Sequence, residues 1–309
     1  MLHRLVGRRL FVAAAFAREP LRQLAVPATP SLMLRDGSSL PFASFGVQIY
    51  DDDTARHLTS QALEAGFRSF FTSPEAGNQR GFALAIRDSG IPRDQLYIAG
   101  SVLSDDAVGF RSARATTRQR CDASLDVLAS GGVERLDMLL LERAGLDCGS
   151  VRGQWKALED VRAFGSINAL GVCNFDLEQI DCMLARANVR PQLHQCQYTL
   201  AIRLAHAELR RAHEQRGIRL MAFSPLGGPP ALIPRAILDE CDRIGKAQSP
   251  PVSRYQVALR WLVQQGVAYS VHSRTAAHLR EDLDVFGFRL SDVEMGRLEA
   301  MSERAPDYY

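Results

Sequence analysis

Residues 136–172, LDMLLLERAGLDCGSVRGQWKALEDVRAFGSINALGV, decide the fold. The apolar runs at 136–141 and 169–172 are short and continuous, which is typical of strands buried on both faces. Between them, residues 151–164 carry apolar side chains at helical spacing. A parallel strand pair needs such a crossover helix, so the stretch predicts a strand, a helix and a second parallel strand.

The same alternation extends in both directions along the chain. Further strands are predicted at 43–47, 67–72, 96–103, 193–196, 220–223 and 268–271. Further helices are predicted at 53–65, 81–89, 114–128, 177–186, 205–216 and 254–264. Eight strands that alternate with helices, with no linker between them, indicate a single (β/α)8 TIM barrel. A doubly wound α/β sheet is the alternative.

Two features lie before the first barrel strand. Asp36-Gly37 stands between two short alternating stretches and predicts a β-hairpin within residues 32–41. Residues 1–30 contain five arginines, one glutamate and three prolines, a composition typical of a transit peptide for a mitochondrion or plastid. A twin-arginine signal at Arg8-Arg9 and a basic extension without a targeting role are the alternatives. The barrel domain is therefore predicted to span residues 31–309.

Composition excludes several classes of protein. The 37 basic and 35 acidic residues leave a net charge of +2, too balanced for a dedicated nucleic-acid-binding protein. No apolar run approaches the roughly 20 residues of a membrane span, so we do not expect this protein to be an integral membrane protein. The six cysteines have neither metal-ligand nor dense disulfide spacing, which predicts no metal site and a reducing compartment.

Rossmann, P-loop, zincin and α/β-hydrolase motifs are absent from the sequence. Short motifs instead follow the predicted strands: 66–68 (GFR), Gly77-Asn78, 137–141, 155–159, 171–175 (GVCNF), 224–227 (SPLG), 258–261 (ALRW), Ser273, Glu281 and 286–291. Because these motifs occur in this order and at this spacing, the chain resembles the aldo-keto reductases over about residues 31–303. The resemblance implies a TIM barrel with a hairpin at its floor, and hydride transfer from NADPH to a carbonyl carbon.

The resemblance also locates the family's catalytic quartet, and none of its four residues is present. The positions of the aspartate, tyrosine, lysine and histidine are held by Phe71, Ala76, Ser101 and Glu142. Losing a general acid typically costs about 10²–10⁴ in rate, so standard carbonyl reduction is expected to be negligible. Glu142 is the one candidate catalytic residue, because a carboxyl group in an apolar mouth can stay protonated near neutrality.

Two structural alternatives weigh against a catalytic Glu142. Its side chain could point to solvent, or it could pair with Arg143. Glu75, beside Ala76, is a weaker candidate for the same role.

The resemblance implies a partly retained cofactor site. Asn174 and Gln195 would hold the nicotinamide carboxamide, Phe223 would stack on its ring, and Ser224 and Leu226 would contact the pyrophosphate. Ser273, Arg274 and Glu281 would meet the adenosine end.

At that adenosine end, His272 and His278 replace two cations of the family. NAD(P)H binding is therefore expected to be weak, with a reduced preference for NADPH, or absent. Barrel packing is the alternative role of Asn174, Gln195 and Phe223.

Two functions follow from these expectations. The first is a barrel without standard carbonyl reductase chemistry that acts as a binding, regulatory or assembly subunit with a protein partner. The second is an NAD(P)H-dependent oxidoreductase with unusual catalytic residues, among them Glu142 as the acid. The sequence identifies neither the substrate nor the partner.

Overall fold

The computed structural model describes residues 29–47, 49–201, 206–228 and 231–303. The predicted N-terminal extension lies outside the described residues, apart from positions 29 and 30. The strands are β1 (Ser31–Met33), β2 (Ser39–Pro41), β3 (Ala43–Gly46), β4 (Ser69–Thr72), β5 (Tyr97–Val102), β6 (Leu136–Leu141), β7 (Ile167–Cys173), β8 (Leu193–Gln197), β9 (Arg219–Phe223), β10 (Gly227–Gly228), β11 (Ala231–Leu232) and β12 (Ala268–Val271).

Ten α-helices occur in the described part of the chain. They are α1 (Asp52–Ala65), α2 (Gln79–Asp88), α3 (Phe110–Ser130), α4 (Cys148–Ala163), α5 (Leu177–Leu184), α6 (His206–Arg216), α7 (Arg235–Lys246), α8 (Arg254–Gln264), α9 (Ala276–Leu283) and α10 (Asp292–Ser302).

Eight parallel strands close into a barrel in the order β12-β3-β4-β5-β6-β7-β8-β9. Closure depends on β12, which pairs with β3 on one side and with β9 on the other. The predicted TIM barrel is confirmed. The doubly wound alternative is wrong, because such a sheet would leave two open edges.

The hairpin of β1 and β2 closes the amino-terminal end of the barrel. Leu32 lies opposite Leu40 in the antiparallel register, and both side chains are buried. They pack with Met138 and Met221 from inside the barrel. Gly37 has φ 85° in the turn, a conformation that glycine adopts without strain. The predicted hairpin is confirmed, and its leucines extend the apolar core downward.

Local signals explain where several helices begin and end. Asp176 caps α5 through the Gln179 N–H, and the Gln179 side chain accepts the Asp176 N–H in return. Gly217, after α6, takes a φ of 68°. Both features satisfy backbone groups that a helix end leaves without partners.

A disulfide joins Cys148, at the start of α4, to Cys182 in α5. The expectation of reduced cysteines is wrong for these two, because barrel packing brings α4 and α5 together although the cysteines are 34 residues apart. Two cysteines that are 34 residues apart do not identify a disulfide in the sequence. The other four cysteines are free and buried.

Within the described ranges, none of the helices is both long and apolar enough to cross a membrane. The same ranges contain no group of three or more His, Cys, Asp or Glu side chains that could hold a metal ion.

Candidate functional site

A cavity of about 310 Å³ opens at the carboxyl ends of the barrel strands, the end of a TIM barrel where active sites lie. We call it the mouth cavity. Its lining consists of Gly46, Val47, Ile49, Phe71, Ser73, Glu75, Ala76, Glu142, Cys173, Asn174, Gln195, Phe223, Ser224 and Ser270. Val47, Ile49, Phe71 and Phe223 give the cavity apolar walls, and seven of the other lining side chains can form hydrogen bonds with a bound group.

The structure brings the four quartet positions together at this cavity. Phe71 is in β4, Ala76 ends the short turn Pro74–Ala76, and Glu142 directly follows β6; all three line the cavity. Ser101, in β5, is fully buried behind them and reaches Glu142 by a hydrogen bond. These four predicted positions therefore lie together at one end of the barrel.

Glu142 is held by two serine hydroxyls. The Ser101 hydroxyl donates to Glu142 Oε2 at 2.7 Å, and the Ser73 hydroxyl donates to the same oxygen at 3.0 Å. Arg143 turns away instead, its guanidinium 3.9 Å from the carboxylate of Asp105. Glu142 is half-buried and bonded to the two serines, and the ion pair described for Arg143 is with Asp105.

Glu75 contacts Glu142, so the mouth cavity contains a pair of carboxyl groups. Partial burial raises the pKa of Glu75, and the hydrogen bond and negative charge of Glu142 raise it further. The positive charge of Arg143 opposes this shift. Glu75 therefore keeps its proton to a higher pH than an isolated glutamate does.

Gln195 carries the most unusual polar group in the cavity. Its side chain is 1% exposed, and neither its amide oxygen nor its amide nitrogen has a hydrogen-bond partner among the described residues. A buried amide without partners costs free energy. Its position at the cavity wall gives it both a donor and an acceptor to offer to a bound group.

Asn174 lies beside Gln195. Its backbone N–H donates to the Gln195 carbonyl oxygen at 3.1 Å, and its side-chain amide donates to the Glu142 carbonyl oxygen at 3.4 Å. Asn174 has φ 56°, an uncommon conformation for a residue other than glycine. Such backbone strain clusters at ligand-binding sites.

The other residues predicted to contact the nicotinamide ring or the pyrophosphate fall into two groups. Phe223 and Ser224 line the cavity, and Ser224 also has a positive φ, of 44°. Leu226 is partly buried and packs against the main apolar core rather than lining the cavity. Gly46 lets its strand approach Ser270 closely, because a Cβ there would lie 2.6 Å from Ser270 Oγ.

The residues predicted for the adenosine end do not line the mouth cavity. Ser273 donates its hydroxyl to the buried Asp282 carboxyl at 2.6 Å, and burial raises the pKa of Asp282 to about 6. Arg274 stacks on the Tyr50 ring and donates to its hydroxyl. Glu281 is half-buried in α9. Arg274 is therefore the one predicted cation at this end, and it stands at the rim.

Sequence reasoning missed Ser73 and Ser270. Ser73 caps the turn Pro74–Ala76 by accepting the Glu75 N–H at 3.2 Å, and its hydroxyl also donates to Glu142. A serine before a proline is a turn signal, so its second role could not be separated from the first. Ser270 lies in β12, where a small polar residue among apolar ones gave no distinct signal.

Comparison with known proteins places this geometry in a family. The model of the Aldo/keto reductase family matches residues 43–303. The chain belongs to the aldo-keto reductase family. An aldo-keto reductase of Mycolicibacterium smegmatis is 32% identical over 276 residues, covering 89% of this chain and 92% of that protein. A glyoxal reductase of Bacillus subtilis is 28% identical, covering 88% of this chain and 93% of its own.

Solved structures agree with the assignment. An aldo/keto reductase from Brucella melitensis superposes with a TM-score of 0.77 at 26% identity, covering 88% of this chain and 99% of its own. A Bombyx mori aldo-keto reductase in complex with NADP has the same fold, with a TM-score of 0.78 at 21% identity over 90% of this chain and 94% of its own. Aldo-keto reductases are oxidoreductases that use NAD(P)H.

Proposed function

We propose that this aldo-keto reductase is an NAD(P)H-dependent oxidoreductase that reduces carbonyl compounds with a carboxyl group as the acid. The observation that carries the proposal is the buried Gln195 amide, whose oxygen and nitrogen both lack partners at the wall of the mouth cavity. A carboxamide needs one donor and one acceptor, and a neighbouring amide side chain supplies both.

The residues of the mouth cavity fit a nicotinamide ring. Gln195 and Asn174 would hold the carboxamide, and Phe223 would present a flat apolar face to the ring. When bound, the coenzyme supplies a hydride to the substrate. Glu75 and Glu142, the latter fixed by Ser73 and Ser101, place two carboxyl groups in the same cavity, where a developing alkoxide would need a proton.

We expect dinucleotide binding to be weak and its preference for NADPH to be reduced. The Ser273 hydroxyl is bound to the Asp282 carboxyl, and a carboxyl group there disfavours a nearby phosphate. Arg274 could restore part of the attraction by leaving Tyr50. Titration with NADPH and NADH measures this preference, and submicromolar binding of NADPH would contradict it.

The test of the function is turnover by the purified protein. NADPH and NADH are supplied separately with a panel of aromatic aldehydes, ketones and enones, and coenzyme oxidation is followed by absorbance. We expect slow turnover that depends on the carbonyl compound and falls in the Glu142→Gln variant. No turnover with any compound, despite a folded protein, would refute the proposed function.

A second candidate is a binding or regulatory subunit. The resemblance favours it, because Phe71, Ala76 and Ser101 hold the positions of the family's aspartate, tyrosine and lysine, respectively. This candidate predicts that turnover is absent while one partner protein co-purifies in a fixed ratio. A monodisperse monomer without such a partner would argue against it.

A further inference from the structure

The mouth cavity has an unusual charge distribution. Among its described lining residues, Glu75 and Glu142 are the only charged side chains. Both would be anionic in water at neutral pH, and two adjacent carboxylates repel each other. Sharing one proton relieves the repulsion, because a protonated carboxyl donates a hydrogen bond to its ionised neighbour.

The serine hydroxyls distinguish the two members of the pair. Ser73 and Ser101 both donate to the same oxygen of Glu142, which fixes that carboxyl group in place. Glu75 is the more exposed of the two carboxyl groups in the mouth cavity. Partial burial and the neighbouring Glu142 raise the pKa of Glu75, so Glu75 is the member of the pair placed to carry a proton to a substrate.

We propose that Glu75 is the proton donor of the reaction and that Glu142 is a positioning residue, held in place by Ser73 and Ser101. This proposal rests on the proposed function. An independent observation points to a ligand in this cavity, since the buried Gln195 amide without partners lines it as well.

The step balances with groups of the cavity and the coenzyme. The carbonyl carbon accepts the hydride that NAD(P)H supplies, and the electron pair of the C=O π bond moves onto the oxygen. That oxygen accepts the Glu75 proton, which yields the alcohol. Glu75 is left as a carboxylate beside Glu142 and recovers its proton from water.

The pair also sets the substrate class. Both charged side chains that line the mouth cavity are acidic, and no cation lines it among the described residues. Carboxylate or phosphate groups on a substrate would be repelled. The cavity therefore suits neutral carbonyl compounds rather than oxo acids or sugar phosphates.

Other charged groups surround Glu75. They are Glu142 and Arg143 after β6, Asp105 after β5, and Asp52, Arg80 and Arg120 along the neighbouring cleft. Arg143 lowers and Asp105 raises the pKa of Glu75, but both act less than Glu142. Removing the charge of Glu142 should therefore move the pKa of Glu75 down.

The first test measures the proton without requiring turnover. Protein labelled with [δ-¹³C]glutamate is titrated by NMR as wild type and as the variants Glu75→Gln, Glu142→Gln and Glu64→Gln, the last being an exposed control on α1. We expect one carboxyl resonance to titrate above the usual glutamate range. It should vanish in Glu75→Gln, move to lower pH in Glu142→Gln, and persist in Glu64→Gln. An ordinary titration of Glu75, or a high one that belongs to Glu142, would overturn the proposal.

The second test uses kinetics with methyl 4-formylbenzoate, a neutral aldehyde. Wild-type kcat/KM should fall as pH rises through the pKa of Glu75, because the acid is then lost. Glu75→Gln should lower kcat by about 10²-fold or more and remove this pH dependence, whereas Glu142→Gln should move the fall to lower pH. Full activity and an unchanged pH profile in Glu75→Gln would overturn the proposal and leave the proposed function intact. Absence of wild-type turnover would refute the proposed function itself.

Substrate charge gives a third measurement. 4-Carboxybenzaldehyde has nearly the shape of the ester but carries a negative charge. We expect its kcat/KM to be about tenfold lower, equivalent to about 1.4 kcal/mol. Equal values for the acid and the ester would overturn the inferred substrate class.

Discussion

Replacing Gln195 by methionine should stabilise the free protein and abolish coenzyme binding. The Gln195 side chain is buried, and both of its polar atoms lack partners among the described residues. Leaving such a group buried costs about 1–3 kcal/mol. Methionine has a similar volume and no polar group to desolvate, so the packing penalty should stay below about 1.5 kcal/mol. A net gain of about 1–2 kcal/mol is expected.

Thermal unfolding measures both effects in one assay. In a domain of this size, a gain of 1 kcal/mol raises Tm by about 2–4 °C. Saturating NADPH should raise Tm of the wild type, since a ligand at 100 times its Kd contributes about 2.7 kcal/mol. It should leave Gln195→Met unchanged. Without ligand the variant is the more stable protein, and with ligand the wild type is.

Gln154→Met is the matched control. Gln154 is equally buried, but its amide accepts the Gly145 N–H at 2.8 Å and donates to the Ser104 carbonyl oxygen at 3.0 Å. The same substitution there leaves a buried N–H without a partner and should lower stability by about 1–3 kcal/mol. A Gln195→Met variant that is less stable than wild type, or that keeps its NADPH-induced shift, would refute the reasoning.

Two further predictions concern stability. Burial lowers the pKa of His194 to about 3 and that of His206 to about 4, so the unfolded chain binds protons that the folded protein does not. This contribution to stability is fully present above the ordinary histidine pKa and is lost as pH falls. Urea unfolding should therefore show a loss of about 1.5 kcal/mol in the free energy of unfolding between pH 7.5 and 6. A free energy of unfolding that stays constant or rises over this range would contradict the prediction. The Cys148–Cys182 bond closes a loop of 34 residues, so reduction should destabilise the protein by about 3–4 kcal/mol. Urea unfolding with and without dithiothreitol measures this loss of stability. The Cys148→Ser/Cys182→Ser variant is the control and should be insensitive to the reductant. Equal urea midpoints of the wild type in both conditions would refute the prediction.

The barrel could be predicted because its strands are short, continuous apolar runs. Residues 136–141 form β6 at the predicted bounds, and 254–264 form α8 as predicted. The helix α7 was missed although Ile237, Cys241 and Ile244 are buried at helical spacing, a signal that was present. The helix α9 has only two buried residues, so its pattern is too weak to distinguish from a loop.

The site could be located but not assembled from the sequence. Glu142 directly follows one predicted strand, and Gln195 lies in another. The carboxyl ends of the strands meet at the mouth of any such barrel. That Ser101 reaches Glu142 depends on the register of β5 against β6, in which Ser101 lies opposite Leu140. The approach of Glu75 depends on the turn that begins at Pro74. Neither the register nor the turn geometry can be derived from apolar periodicity.

Deuterium transfer tests the central claim, hydride chemistry at the mouth of this barrel, most directly. The purified protein is incubated with methyl 4-formylbenzoate and NADPH that carries deuterium at both C4 positions, and the alcohol is analysed by mass spectrometry. The account predicts an alcohol one mass unit heavier than that formed with unlabelled NADPH, with the deuterium on the former carbonyl carbon. An unlabelled alcohol, or no alcohol at all, would contradict it.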